Sequence, residues 1–175
     1  NTVSRSEDER QTVLIATFIS DDDGRHWRYQ SSLPLYPYLI GEPTLLRSEN
    51  GRIVLLGRSV WHFSSPSNEA PGGMLIQYTS DDDGLTWSEG KATEMSSQNT
   101  PAHLLRLRDG RYLCTHASRK YPASIYVTVS EDEGETWKTD RTKIITNDLI
   151  SYDSTYPTSG QMADGRLITV WYGSL

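Results

Sequence analysis

The sequence predicts an all-β fold of the β-propeller type, and three observations lead to this prediction. A turn motif recurs three times at intervals of 50 to 60 residues, a second hairpin signal alternates with it, and no apolar stripe has helical periodicity. Two hairpins form a four-stranded unit over one such interval, which is the size of a propeller blade.

The turn motif has the pattern S-x-D-x-G-x-x-W and begins at Ser20, Ser80 and Ser130. Each copy follows a short run of β-forming residues, so it is the turn after a strand. Its central aspartate can accept hydrogen bonds from amides across the turn, and its glycine permits positive φ. The tryptophan is predicted to pack its ring back on the sheet.

The second signal is Asn-Gly or Asp-Gly followed by arginine, placed between two β-rich runs at 50–52, 109–111 and 164–166. These dipeptides are strong signals for a two-residue hairpin. A proline precedes each hairpin by seven or eight residues, at Pro43, Pro101 and Pro157.

Together the two signals predict a partial β-propeller over residues 1–175. The predicted parts are the second half of a blade at 12–35, full blades at 42–95 and 100–147, and the first half of a blade at 156–174. That is about three blades' worth of sheet, whereas closed propellers have roughly four to eight blades. Either the natural chain is longer or a homodimer completes a six-bladed ring.

Composition excludes several classes of function. With 17 Lys and Arg against 23 Asp and Glu, the net charge of −6 gives no broad attraction to nucleic acid or anionic lipid. No apolar run approaches the roughly 20 residues of a membrane-spanning helix. The single cysteine, Cys114, excludes an internal disulfide and a Cys-rich zinc site and is expected to be a small buried residue. No cofactor or metal site is predicted, and the sequence leaves the compartment open.

Blade geometry predicts where a site would form. In an antiparallel blade the turn motifs and the Gly-Arg hairpins share one face, so the other loops share the opposite face. The residues expected to meet there are Glu42, Arg58, His62, His103, His116, Arg119, Asp153 and Tyr156. Residues before the three prolines occupy one structural position in successive blades, and proline is expected to hold that position extended.

These motifs resemble the sialidase (neuraminidase) superfamily, whose six-bladed propellers carry BNR repeats, also called Asp boxes. Glu42-Pro43 followed by Arg58 is similar to a family segment with a glutamate and one arginine of the carboxylate-binding triad. Tyr156 before Pro157-Thr158-Ser159-Gly160 is similar to the segment with the nucleophilic tyrosine.

The resemblance implies an exo-acting glycoside hydrolase for a terminal, acidic sugar. In that reading Tyr156 is the nucleophile, Glu42 is its base, and Arg58 and Arg119 clamp the substrate carboxylate. Family members take an acid/base aspartate and another arginine from a part before the first blade seen here, so this chain alone is expected to be incomplete as a catalyst. A glycan-degrading enzyme of this kind would be secreted or periplasmic.

Other interpretations of the same residues stay open. Asp153 or Glu42 could act as an ordinary glycosidase carboxylate on a neutral sugar. His62 and its long connection suit sugar contact. His103 could bind substrate, but His103 and His116 are more often hydrogen-bonded structural histidines. The competing class of function is a non-catalytic propeller for carbohydrate binding or assembly, in which Tyr156 is only a packed aromatic residue.

Overall fold

The computed structural model describes residues 14–35, 38–59, 73–98, 100–150 and 155–173, which form four antiparallel sheets. The first sheet contains β1 (Ala16–Ile19) and β2 (Arg28–Ser32), and the second contains β3 (Ile40–Arg47), β4 (Ile53–Ser59), β5 (Met74–Ser80) and β6 (Lys91–Ser96). The third sheet contains β7 (His103–Arg106), β8 (Tyr112–Ser118), β9 (Ala123–Ser130) and β10 (Lys143–Leu149), and the fourth contains β11 (Thr155–Gln161) and β12 (Leu167–Tyr172).

The all-β prediction is therefore confirmed. The helix in the described part of the chain is a three-residue 3-10 turn, Thr139–Arg141, and no described helix is long and apolar enough to cross a membrane.

The sheets are arranged like blades around an axis. Strands follow chain order within each four-stranded sheet, so β3 and β7 are edge strands. These edges adjoin each other, because the amide of Leu104 donates to Thr44 Oγ1 over 3.4 Å. Strand β7 also adjoins β11, where the amide of Ser159 donates to His103 Nδ1 over 3.2 Å. The first strands of three successive sheets thus lie side by side.

Apolar side chains fill the space between neighbouring sheets. One cluster joins the second and third sheets and includes Leu56, Leu75, Leu104 and Cys114. Similar clusters join the first sheet to the second, and the third to the fourth. Cys114 is fully buried, as expected from its place in a strand. Each sheet is consequently held by burial against its neighbours.

The turn motif has the predicted internal hydrogen bonds. In the second copy, Ser80 Oγ donates to Asp82 Oδ1 over 2.8 Å and accepts from the amide of Gly84 over 2.8 Å. The same aspartate oxygen accepts from the amide of Thr86 over 2.8 Å, and the glycine has φ +81°. The other two copies repeat this pattern.

Two tryptophans of the motif also bond to the preceding sheet. Trp87 Nε1 donates to Ser31 Oγ over 3.2 Å, and Trp137 Nε1 donates to Gln77 Oε1 over 2.8 Å. Each ring therefore contacts the preceding sheet and not only its own. Both rings also pack against apolar clusters that include residues of their own sheets, as the sequence predicts.

Acid should weaken the fold through this motif. Hydrogen bonds from the Thr86 hydroxyl and amide hold the pKa of Asp82 below its ordinary value of 3.8. A carboxylate with a depressed folded-state pKa stabilises the fold above its unfolded-state pKa, and this contribution is lost as pH falls through the folded-state pKa. The free energy of unfolding, measured by urea titration, should fall between about pH 5 and pH 2. We expect this fall to be smaller in Asp82→Asn than in the unmodified protein, because the variant has no carboxylate to protonate.

The matched control for that experiment is Asp23→Asn. Asp23 lies in the first copy of the motif, and within the described ranges its carboxylate makes no hydrogen bond. Equal acid sensitivity of Asp82→Asn and the unmodified protein would contradict the expectation.

Candidate functional site

Two matching β-bulges bring Glu42 and Tyr156 together. In β3, Gly41 pairs with Arg58 and Thr44 pairs with Leu56, so residues 42–43 oppose a single residue of β4. In β11, Thr155 pairs with Tyr172 and Thr158 pairs with Val170, so residues 156–157 oppose a single residue of β12. A bulge of this kind re-aims a side chain. Here it acts on the two residues that the sequence singled out.

The backbone at both bulges differs from the prediction. Glu42 has φ +47° and Tyr156 has φ +49°, so neither residue before proline is extended. The prediction was wrong because the bulge, and not the proline alone, sets the backbone there. Thr155 adds a third positive φ, +107°, at a β-branched residue. Non-glycine residues in such regions cost on the order of 1–3 kcal/mol each and cluster at functional sites.

The site is a contact between a phenol, a carboxylate and a guanidinium. Tyr156 Oη donates to Glu42 Oε1 over 2.7 Å. Arg58 Nε lies 2.5 Å from the other carboxylate oxygen, Oε2, in an ion pair that lacks the angle of a hydrogen bond. The carboxylate is thereby oriented from both sides.

Two further side chains lie against the Tyr156 ring. The guanidinium carbon of Arg119 is 5.8 Å from the ring centroid, and the ring of Tyr172 is 5.7 Å away at 37°. Arg119 therefore reaches the site as predicted, although it contacts the face of the ring. Tyr172 was missed by the sequence analysis. The only signal for Tyr172 in the sequence was its distance from the Asp164-Gly165 hairpin, which places it across from Thr155 when the two strands are paired.

The electrostatics keep the phenol protonated. Its hydrogen bond to the Glu42 carboxylate, followed by partial burial and the negative charge of Glu42, raises the pKa of Tyr156. Arg58 and Arg119 act in the opposite direction, since positive charge stabilises a phenolate. Tyr156 is 41% exposed, so a ligand can contact this side chain.

Thr100, the third residue that precedes a proline, does not take part in the contact between Glu42 and Tyr156. Thr100 is fully buried, and its hydroxyl donates to the carbonyl of Ala117 over 2.9 Å. The β7–β8 pairing runs without a shift from His103 to Arg106. Of the three positions aligned by sequence, only the two with bulges present their side chains to each other.

The two described histidines with predicted positions near this face make internal hydrogen bonds. His103 accepts from the amide of Ser159 in β11, and burial lowers its pKa. Its role as a substrate ligand stays a prediction. His116 lies within β8 and is buried between the carbonyl of Ser96 and the hydroxyl of Thr128, at 2.7 and 2.9 Å. Burial lowers the pKa of His116 to about 4, and its two hydrogen bonds agree with a structural histidine.

Asp153, His62 and the long connection containing His62 lie outside the described residues. Within the described ranges, no three His, Cys, Asp or Glu side chains converge in a way that could hold a metal ion.

Blades around an axis with a site at their inner edge define a β-propeller of the sialidase type. A structure of unknown function from Dyadobacter fermentans is similar, with a TM-score of 0.75 and 21% identity over 90% of this chain and 41% of that one. A mutant of the NanB sialidase from Streptococcus pneumoniae is also similar, with a TM-score of 0.63 and 17% identity over 92% of this chain and 24% of that one.

The chain belongs to the BNR repeat-like domain family, whose model matches residues 17–169. The predicted BNR repeats are thus confirmed, and the fold is similar to that of a sialidase. No curated protein sequence matches this chain significantly. The chain spans less than half the length of the two solved structures.

Proposed function

We propose that this chain is part of a sialidase-like exo-glycoside hydrolase that acts on a terminal, acidic sugar. The observation that carries the proposal is the 2.7 Å hydrogen bond from Tyr156 to Glu42. The two residues are 114 positions apart in the sequence, and strained bulges hold both of them. The similarity to NanB sialidase supports the same class of substrate.

A phenol suits an acidic sugar as nucleophile. In such a sugar a carboxylate stands beside the reacting carbon and repels a carboxylate nucleophile, whereas a neutral phenol can approach. Tyr156 Oη forms a bond to the anomeric carbon, the bond from that carbon to the leaving oxygen breaks, and the phenolic proton passes to Glu42. In a second step a water oxygen bonds to the anomeric carbon while the bond to Tyr156 Oη breaks. Glu42 returns its proton to the phenol, and the proton of the water passes to the acid/base group that protonated the leaving oxygen.

The arginines have two tasks in this proposal. A guanidinium has five N–H donors, so Arg58 can orient Glu42 and still offer donors to the substrate carboxylate. Arg119 places positive charge over the Tyr156 ring and stabilises negative charge that develops on its oxygen. The leaving oxygen also needs a proton, which an acid elsewhere in the full-length protein would supply. Asp153 stays the candidate for an ordinary glycosidase carboxylate, which is the alternative for a neutral sugar.

We further propose that the two-stranded sheets are halves of blades, at 12–35 and 156–174, flanking full blades at 42–95 and 100–147. Apolar side chains on both outer sheets support this organisation, since Phe18 is 54% exposed and Val170 is 58% exposed. A neighbouring blade would cover them. That blade would come from the remainder of a longer chain or from a second copy in a homodimer.

The test is turnover of a fluorogenic α-sialoside, beside a panel of neutral glycosides, by the full-length protein and by Glu42→Gln. We expect hydrolysis of the sialoside alone, and a fall in kcat of about 10² to 10⁴ in Glu42→Gln because the proton acceptor is lost. Preferential hydrolysis of a neutral glycoside would overturn the assignment of substrate. Binding of sialoside without turnover would overturn the enzyme proposal and favour a carbohydrate-binding propeller.

A further inference from the structure

A recess lies beside the loop between β8 and β9. It has a volume of about 450 Å³ and is formed by this loop together with the ends of β6, β9 and β10. The residues important to the argument are Ser96, Gln98, Tyr121, Ser124, Tyr126 and Asn147. We call it the β8–β9 cleft.

The wall of the cleft is preformed. The ring of Tyr126 stacks on His116 with centroids 5.4 Å apart and planes at 23°. Both ring nitrogens of His116 are hydrogen-bonded, one to the carbonyl of Ser96 and one to Thr128. Since the histidine is buried and fixed, the tyrosine packed on it is held in place. The hydrogen bond from His116 to the carbonyl of Ser96 links β8 to the end of β6, and so it joins two walls of the cleft.

The cleft also has a large ring exposed to solvent. Tyr121 is 82% exposed, although it lies beside Pro122 in a loop whose next residues, Ala123 and Ser124, are buried in β9. An apolar ring of this size gains from contact with an apolar ligand surface. Because the loop is anchored on both sides by buried strands, the ring is presented from a fixed base.

The polar groups of the cleft point to a class of ligand. Gln98 and Asn147 line it, and their side-chain amides can donate as well as accept hydrogen bonds. No Asp or Glu is among the lining residues, and Lys120 is the single charged residue among them. A ligand with many hydroxyl groups and an apolar C–H face matches such a surface. Small-ligand sites typically combine a small number of precisely placed polar groups with aromatic rings.

We propose that the β8–β9 cleft binds a neutral sugar residue of a glycan. Its position supports this assignment, because Arg119 of the same loop lies over Tyr156, whereas Tyr121, two residues later, lines the cleft. The proposal goes beyond the proposed function, since binding here needs neither Tyr156 nor Glu42.

The test is saturation-transfer NMR of the full-length protein with lactose and a panel of neutral methyl pyranosides, followed by titration of the best binder. We expect Tyr121→Ala and Asn147→Ala each to raise Kd about fivefold or more, the loss equivalent to one hydrogen bond or aromatic contact. Tyr121 is largely exposed, so its removal should leave the thermal unfolding midpoint unchanged.

Two controls separate this proposal from the proposed function. Tyr29→Ala removes another exposed tyrosine, on the first sheet, and should leave Kd unchanged. Tyr156→Phe should also leave Kd unchanged, even if hydrolysis is lost. An unchanged Kd in Tyr121→Ala, or the absence of binding by every sugar of the panel, would overturn the proposal. Loss of binding in Tyr156→Phe would do the same, because it would place the sugar at the other site.

Discussion

Replacing Tyr156 with phenylalanine should lower turnover of a terminal acidic glycoside by a factor on the order of 10³ or more. The substitution removes one oxygen, which is the atom that donates to Glu42 at 2.7 Å and would form the bond to the sugar. It leaves the ring, its contact with Tyr172 and the bulge of β11 in place. The measurement is steady-state kinetics, with circular dichroism and thermal unfolding to establish that the fold is retained.

The control is Tyr29→Phe, which removes a hydroxyl that is hydrogen-bonded to Ser32 on the first sheet. Its turnover should equal that of the unmodified protein. If Tyr156→Phe kept more than about a tenth of the activity, Tyr156 could not be the nucleophile, and Glu42 or Asp153 would become the candidate carboxylate.

Gly57→Ala should lower the free energy of unfolding by about 2–3 kcal/mol. A Cβ at Gly57 would lie 2.5 Å from Ile40 Cδ1 and 2.8 Å from Ile40 Cβ. Ile40 is fully buried at the start of β3, so the clash cannot be relieved by movement into solvent. Urea unfolding measures the loss, provided that the slope of free energy against urea is unchanged.

The matched control is Gly160→Ala, because Gly160 is also within a strand. A Cβ at Gly160 would lie 3.8 Å from Ile168 Cγ2, which is an ordinary van der Waals contact. We expect that variant to change stability by less than about 0.5 kcal/mol. Adding Ile40→Val to Gly57→Ala should recover part of the loss, since it removes the closer of the two clashing atoms. Equal stability of both glycine variants would show that β3 shifts freely, contrary to the packing described.

This second prediction also concerns the site. Ile40 stands two residues before Glu42, and Gly57 directly precedes Arg58. A displacement of β3 would therefore move the carboxylate relative to Tyr156. We expect Gly57→Ala to reduce turnover even at temperatures where the variant is folded.

Much of the fold could be predicted from local signals. The turn motif at Ser20, Ser80 and Ser130 forms the same hydrogen bonds in all three copies, because serine, aspartate and glycine satisfy the turn from within eight residues. Asn-Gly and Asp-Gly hairpins likewise depend on local backbone preferences. Repetition of these short signals was enough to predict an all-β chain with blade-sized units.

The pairing of Glu42 with Tyr156 could be predicted only in part. Proline after each residue marked the two positions, and the resemblance to sialidases linked them, but the same marker also selected Thr100, which is buried. The difference is a register shift in the pairing of β3 with β4 and of β11 with β12. Register depends on both strands of a pair, and the sequence of one strand does not contain it.

Sequence alone therefore determined the repeat, the class of fold and the chemical types of the candidate residues, since each follows from short-range patterns. Tertiary structure decided which residues meet. It placed Arg58 on Glu42, Arg119 over Tyr156 and His116 in the interior, where burial lowers its pKa to about 4. Contacts of this kind join separate strands or blades, and their geometry is fixed only when the sheets pack against one another.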